Sequence, residues 1–120
     1  MGGDDWKRWI DQLADAGVER YHADYTRGET TYYSTEGGSH VVSMSHLVGT
    51  VAAAFDAEGI RSAIRRSQSG EIMYPEFTRL ALAAGCVGYL VQLTGSRVQY
   101  FGRHGEMHTA WFPGAKPAGS

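Results

Sequence analysis

Apolar positions along this chain keep two rhythms, and both rhythms come round twice. Trp6, Trp9, Ile10 and Leu13 stand at helical spacing, with Asp4 or Asp5 able to cap the helix and Gly17 to stop it. From Val18 to Thr26 the period shortens to the alternation of a strand rich in aromatic and β-branched residues. Gly28-Glu29 and Glu36-Gly37-Gly38 read as turns, which places two further strands at residues 30–34 and 39–43.

The same order returns later in the chain. Tyr74, Phe77, Leu80, Ala81 and Ala84 form an apolar helical stripe, Pro75 suits a first-turn position, and Gly85 closes the helix. Strands follow at residues 86–94, 97–102 and 107–112, divided by Gly95-Ser96 and His104-Gly105-Glu106. Residues 6–41 lie over residues 74–109 without a gap, pairing Gly17 with Gly85, Tyr21 with Tyr89, Tyr32 with Tyr100, Gly37 with Gly105 and His40 with His108. Tyr74, Phe77, Tyr89, Tyr100 and Phe101 all fall on aromatic residues of the first window. The expectation is a duplicated helix-strand-strand-strand half.

Between the halves, residues 45–70 read as a helical linker. Leu47, Val48, Val51, Ala54 and Phe55 have helical spacing, with Ser45 as cap and Gly59 as stop, and a second short helix over 61–68 ends at Gly70. Arg61, Arg65 and Arg66 share its outer side, as a solvated face or an anion-binding patch. Residues 113–120 carry no periodicity and read as a loose tail. A single α+β domain over residues 1–112 is expected, its mainly antiparallel sheet covered by helices on one face.

Composition narrows the function classes. The 120 residues hold 11 Lys plus Arg against 13 Asp plus Glu, a formal charge of -2, so the electrostatic attraction behind general nucleic-acid binding is absent. The 42% of hydrophobic residues, with three Trp, seven Tyr and four Phe, supply a packed core. One cysteine, Cys86, makes neither an internal disulfide nor a thiolate zinc site, and its place in an apolar run favours a buried, inert thiol. The opening residues lack the basic and then apolar run of a secretory signal, and no apolar stretch reaches membrane-spanning length. A cytoplasmic protein with no membrane partner and no cofactor is expected. Phosphate-cradling glycine loops and nucleophile elbows are missing from the sequence.

Strand alternation splits the first strand of each half into two faces. Tyr21, Ala23 and Tyr25 match Tyr89, Val91 and Leu93 and should pack under the helices. The other face differs: the first half carries Arg20, His22 and Asp24 where the second has Gly88, Leu90 and Gln92. Asp24 could orient His22 as a general base, Arg20 could hold an anionic group, and Tyr33, with Phe101, could wall an aromatic pocket on that face. The alternative is an outer sheet face that needs only water. His40 and His108, equivalent by the repeat, could meet near an internal two-fold axis, but two histidines fall short of a zinc site, and no metal is expected.

Several segments resemble a known family. Residues 17–24, Thr31-Tyr32-Tyr33, Phe55-Asp56, Ala63-Ile64-Arg65, Gln68-Ser69-Gly70, Tyr74-Pro75-Glu76-Phe77, residues 84–89 and residues 100–106 are similar to the YbcV-like bacterial and prophage domain of unknown function. The resemblance runs over almost the whole chain. Members are sometimes labelled phage envelope protein, and the resemblance implies a fold without implying an activity. The expected function is a non-catalytic module that binds a small anionic or aromatic ligand or a protein, through Arg20, His22, Asp24 and Tyr33. The alternatives are a small-substrate enzyme using the His22/Asp24 pair and a homodimer formed through the sheet.

Overall fold

A computed structural model describes residues 3–44, 49–112 and 115, with side chains from Trp6 onward. Among the described residues the order is α1 (Gly3–Asp15), β1 (Val18–Asp24), β2 (Glu29–Ser34), β3 (Ser39–Ser43), α2 (Ala57–Gln68), α3 (Tyr74–Ala83), β4 (Cys86–Gln92), β5 (Arg97–Gly102) and β6 (Met107–Trp111). Helix α1 begins at Gly3, so Asp4 and Asp5 lie inside its first turn and do not precede it as caps.

The six strands form one antiparallel sheet in the order β3-β2-β1-β4-β5-β6. Each half is therefore a meander running outward from the middle, and the halves join where β1 pairs with β4. Matching hydrogen bonds flank that seam: Tyr25 N donates to Val87 O at 2.9 Å and Leu93 N donates to Glu19 O at 3.1 Å. Both central strands carry a bulge at their start, between Val18 and Arg20 and between Cys86 and Gly88. The turn before each strand needs a left-handed residue, and Gly17 and Gly85 supply it at φ 85° and 81°.

Helices cover one face of this sheet. Leu13 of α1 and Phe77, Ala81 and Leu82 of α3 are buried with Tyr21, Ala23, Tyr89, Val91, Val98 and Tyr100 of the strands, while α2 adds Ile60 and Ala63. The face predicted to lie under the helices does so: Ala23 and Val91 have no exposed surface. Regular alternation puts Arg20, His22 and Asp24 on the other face.

The linker departs from its reading as two helices. Ser45, Leu47 and Val48 lie outside the described residues, but residues 49–56 form no helix. They cross the C-terminal end of α3 as a strap, with Ala52 N donating to Leu82 O at 2.9 Å and Asp56 N to Ala84 O at 2.7 Å. The Ala84 carbonyl at the helix end thereby gains a donor, and the Leu82 carbonyl, which also accepts from Gly85 N at 3.1 Å, gains a second. Gly59 does not stop a helix; it sits in the first turn of α2, where its amide donates to the capping Asp56 carboxylate at 3.0 Å. A Cβ at Gly59 would stand 2.7 Å from that carboxylate, so the glycine makes room for the cap. Beyond β6, the predicted tail lies outside the described residues except for Ala115.

Candidate functional site

The open face of the sheet is laid out by register. One cross-strand row runs Ser39, Tyr33, Arg20, Gln92, Arg97, Trp111; the next runs Val41, Thr31, His22, Leu90, Gln99, Thr109; a third runs Ser43, Glu29, Asp24, Gly88, Phe101, Met107. Arg20 and Tyr33 meet, with the guanidinium 4.2 Å from the ring centroid, and Arg20 also pairs with Glu19. Across the seam, Arg97 lies 5.5 Å from the Trp111 ring and donates to Gln92 Oε1 at 2.8 Å.

His22 and Asp24 share the face without forming a couple. The Asp24 carboxylate accepts from the amides of Thr26 at 3.0 Å and Arg27 at 3.1 Å, closing the β1–β2 turn. Asp at a strand end binds its own following amides, and this local demand wins over orienting a histidine two residues back. Among the described residues the His22 imidazole has no hydrogen-bond partner. Tyr33 and Phe101 fall in different rows on β2 and β5 and do not face each other.

His40 and His108 do not approach an axis. They sit on β3 and β6, the opposite edges of the sheet, because each half runs outward from the seam. His108 lies against Tyr100 at 6.4 Å between ring centroids, and burial, with the nearby Arg61, holds its pKa below the ordinary histidine value. Among the described residues no three His, Cys, Asp or Glu side chains converge as metal ligands. Of the helical arginines, Arg61 pairs with Glu58 and Arg66 with Glu71, the pattern of a solvated helix face. Cys86 is fully buried, donates to Gly88 O at 3.2 Å, and its thiol is pushed up to about 11 by burial.

A concavity lies on the helix side. A cleft of about 460 Å³ runs across that face from Val42 on β3 to Ala110 on β6. Its roof is Trp6 and Trp9 of α1, Ile64, Ser67 and Gln68 of α2, and Tyr74 and Phe77 of α3; its floor is Tyr21, Tyr32, Tyr89, Val98 and Tyr100. Here α2 packs on α3, α1 lies on β1 and α3 on β4, and the space left between these helices and the sheet is the cleft. Rings on its floor interlock edge-on or tilted, Tyr21 with Tyr32 at 5.2 Å, Tyr21 with Tyr89 at 6.4 Å and Tyr89 with Tyr100 at 5.6 Å.

Polarity inside the cleft comes from hydroxyls. Trp9 Nε1 donates to the Tyr21 hydroxyl at 3.4 Å, and the hydroxyls of Tyr74 and Tyr89 are bonded to each other. Burial raises the pKa of Tyr21, Tyr74, Tyr89 and Tyr100 and, less deeply set, of Tyr32, so all remain neutral phenols at physiological pH. No Asp, Glu, Lys, Arg or His is among the described residues lining this space.

Helical spacing of Trp6, Trp9, Tyr74 and Phe77 and alternation around Tyr21 and Tyr89 predict an inward face but no cleft. A residue that fills a core and one that lines a cleft carry the same helical or alternating spacing, so periodicity could not separate them. The usable signal was abundance: six of the seven tyrosines, all but Tyr33, fall on the helix-side face.

The sequence profile of a family described as protein of unknown function (DUF1398) matches residues 1–109. Curated relatives include an uncharacterised protein of Mycobacterium bovis and others of Mycobacterium tuberculosis, each 30% identical over 89 residues. That alignment takes in 72% of this chain and 54% of the relatives, so the chain spans about half the length of the curated relatives it matches. Among the described residues no helix is long and apolar enough to cross a membrane. With the profile matched from its first residue through most of β6, the chain belongs to the DUF1398 family.

Proposed function

We propose that this domain is a non-catalytic binding module whose ligand is a small, largely apolar molecule held in the cleft between helices and sheet. The observation that carries this reading is the cleft itself: a volume of about 460 Å³, walled by rings and lacking charge, is of the size and character of small-molecule sites. A catalytic reading through His22 and Asp24 draws less support, since the Asp24 carboxylate is spent on the β1–β2 turn.

Trp6 and Trp9, two of the three tryptophans of the chain, stand in the roof of the cleft. Occupancy should therefore shift indole emission. Screening small ring compounds by emission and thermal shift is expected to give hits that disappear in Ala110→Phe, which fills one end. Hits that survive in that variant, or none at all, would overturn the reading.

The Arg20, His22, Asp24 and Tyr33 row supports a second reading, as a contact surface for another copy of the chain. Arg20 and Arg97 occupy one row of the open face and Asp24 and Glu29 another. Two copies stacked about an axis along the His22 row would set each arginine row over the other's acidic row, and Val41 and Met107, each 52% exposed, would gain cover. Light scattering at two concentrations should show a dimer that Arg20→Glu abolishes; a monomer throughout would end this reading. We also infer that the halves are copies of one ancestral unit and that the YbcV-like group is part of the same kinship. The paired bulges, paired turn glycines and matching seam hydrogen bonds support the copy reading.

A further inference from the structure

Deepening the reading of the cleft as a ligand site, and resting on it, we propose that the cleft selects a neutral ring-bearing molecule with one hydroxyl or carbonyl group and rejects charged analogues of the same shape. Charge is excluded by what surrounds the space. A carboxylate or ammonium moved from water into it would lose its hydration and meet no counter-ion, because the described lining holds no ionisable acid or base other than phenols. Those phenols are kept neutral by the same burial, so none offers a compensating charge.

A flat ring suits the walls. Trp9 meets Tyr32 edge-on at 6.5 Å, Trp6 meets Phe112 edge-on at 5.7 Å, and Tyr74 and Phe77 lie nearly parallel at 6.3 Å. An inserted ring can continue either arrangement. One polar group is called for because two hydroxyls have work to do. Among the described residues those of Tyr32 and Tyr100 make no hydrogen bond, although both residues line the cleft. The Tyr74 and Tyr89 hydroxyls, by contrast, already have each other. A ligand hydroxyl or carbonyl that reaches Tyr32 or Tyr100 satisfies a group that an all-hydrocarbon ligand would strand.

Three probes of one ring system test this: 2-naphthol, naphthalene and 2-naphthoate, titrated calorimetrically and by saturation-transfer NMR at neutral pH against the whole chain. The expected order is naphthol tightest, naphthalene weaker, and naphthoate weaker than naphthol by about tenfold or more. In the double variant Tyr32→Phe with Tyr100→Phe the advantage of naphthol over naphthalene should shrink toward none. Naphthoate binding as tightly as naphthol would overturn the inference and leave the cleft reading standing. Naphthalene binding as tightly as naphthol would overturn the assignment of a polar group. Binding that persists in Ala110→Phe, or in Ser67→Trp should the first variant not fold, would place the probes outside the cleft and bring down the reading itself; so would failure of all three to bind.

Discussion

The two halves of the sheet share strands, turns and bulges, yet they are embedded to different depths. Gly17 and Gly85 adopt nearly the same left-handed angle before β1 and β4. Around Gly17 a Cβ would meet nothing within 4 Å; at Gly85 it would stand 2.2 Å from the Ala54 carbonyl oxygen. The second half has the strap of residues 49–56 laid across it, and the first half has no described equivalent. Similar backbones therefore answer to different constraints, and the freedom of the first half shows in Arg20, His22 and Asp24, where the second half carries Gly88, Leu90 and Gln92. At Gly88 a Cβ would collide with Ala23 O at 2.2 Å across the seam, whereas Arg20 extends to Tyr33.

The sharpest way to break this comparison is to substitute the two turn glycines in parallel. Gly17→Ala should cost about 1 kcal/mol, the price of a left-handed angle alone, while Gly85→Ala should cost about 3 kcal/mol or more, because backbone atoms must also move. Urea unfolding of both variants decides it, and equal losses would mean that the strap does not bear on Gly85.

Next in size is the pair Asp24 and Gln92, equivalent by the alignment. Asp24→Ala removes the acceptor for two turn amides and should lose about 1–2 kcal/mol. Gln92→Ala removes a neutral link between Gln99 and Arg97 on the open face and should lose about 0.5 kcal/mol. The reverse order would mean that the turn closes without Asp24.

Smaller still is the exchange of Cys86 for the residue its partner position holds. Val18 occupies that place in the first half, and Cys86→Val should change stability by no more than about 1 kcal/mol, since the volumes are close. The native thiol, buried and with its pKa near 11, should react with a disulfide reagent only at the rate of opening.

The smallest effect is a pH dependence confined to one edge. Burial and Arg61 depress the pKa of His108, so the unfolded chain takes up the proton more readily. The stability this residue contributes is present above about pH 6.5, the ordinary histidine value, and is lost as pH falls through the depressed value. His108→Gln should flatten unfolding curves measured between pH 7 and 5, with the same change at exposed His40 as the control.

Much of the scaffold could be read without coordinates. The bounds of β3 and β5 agree with the expected segments, and the alternation of Tyr21, Ala23 and Tyr25 against Arg20, His22 and Asp24 assigns the faces, because strand geometry leaves a side chain only two directions. The strap was not legible. Val51 and Phe55 pack against the core, which gives them helical spacing, but spacing reports burial and not where the amides bond. The cleft was illegible for a related reason: Tyr32 and Tyr100 announce an inward face, while the gap above them depends on where three helices settle. A meeting of His40 with His108, which the repeat left open, is ruled out by strand order, and local patterns do not encode strand order.

The seam between β1 and β4 also sets a schedule. A ribosome delivers β1, β2 and β3 first, so until the linker, α3 and β4 have followed, the inner edge of β1 waits with bare amides and carbonyls beside Tyr21 and Ala23. Nascent chains crowded on one message would offer each other that edge, and a first half docked onto another first half would imitate the finished sheet. Slowing synthesis or lowering temperature should therefore raise the soluble yield more than strengthening the outer strands would.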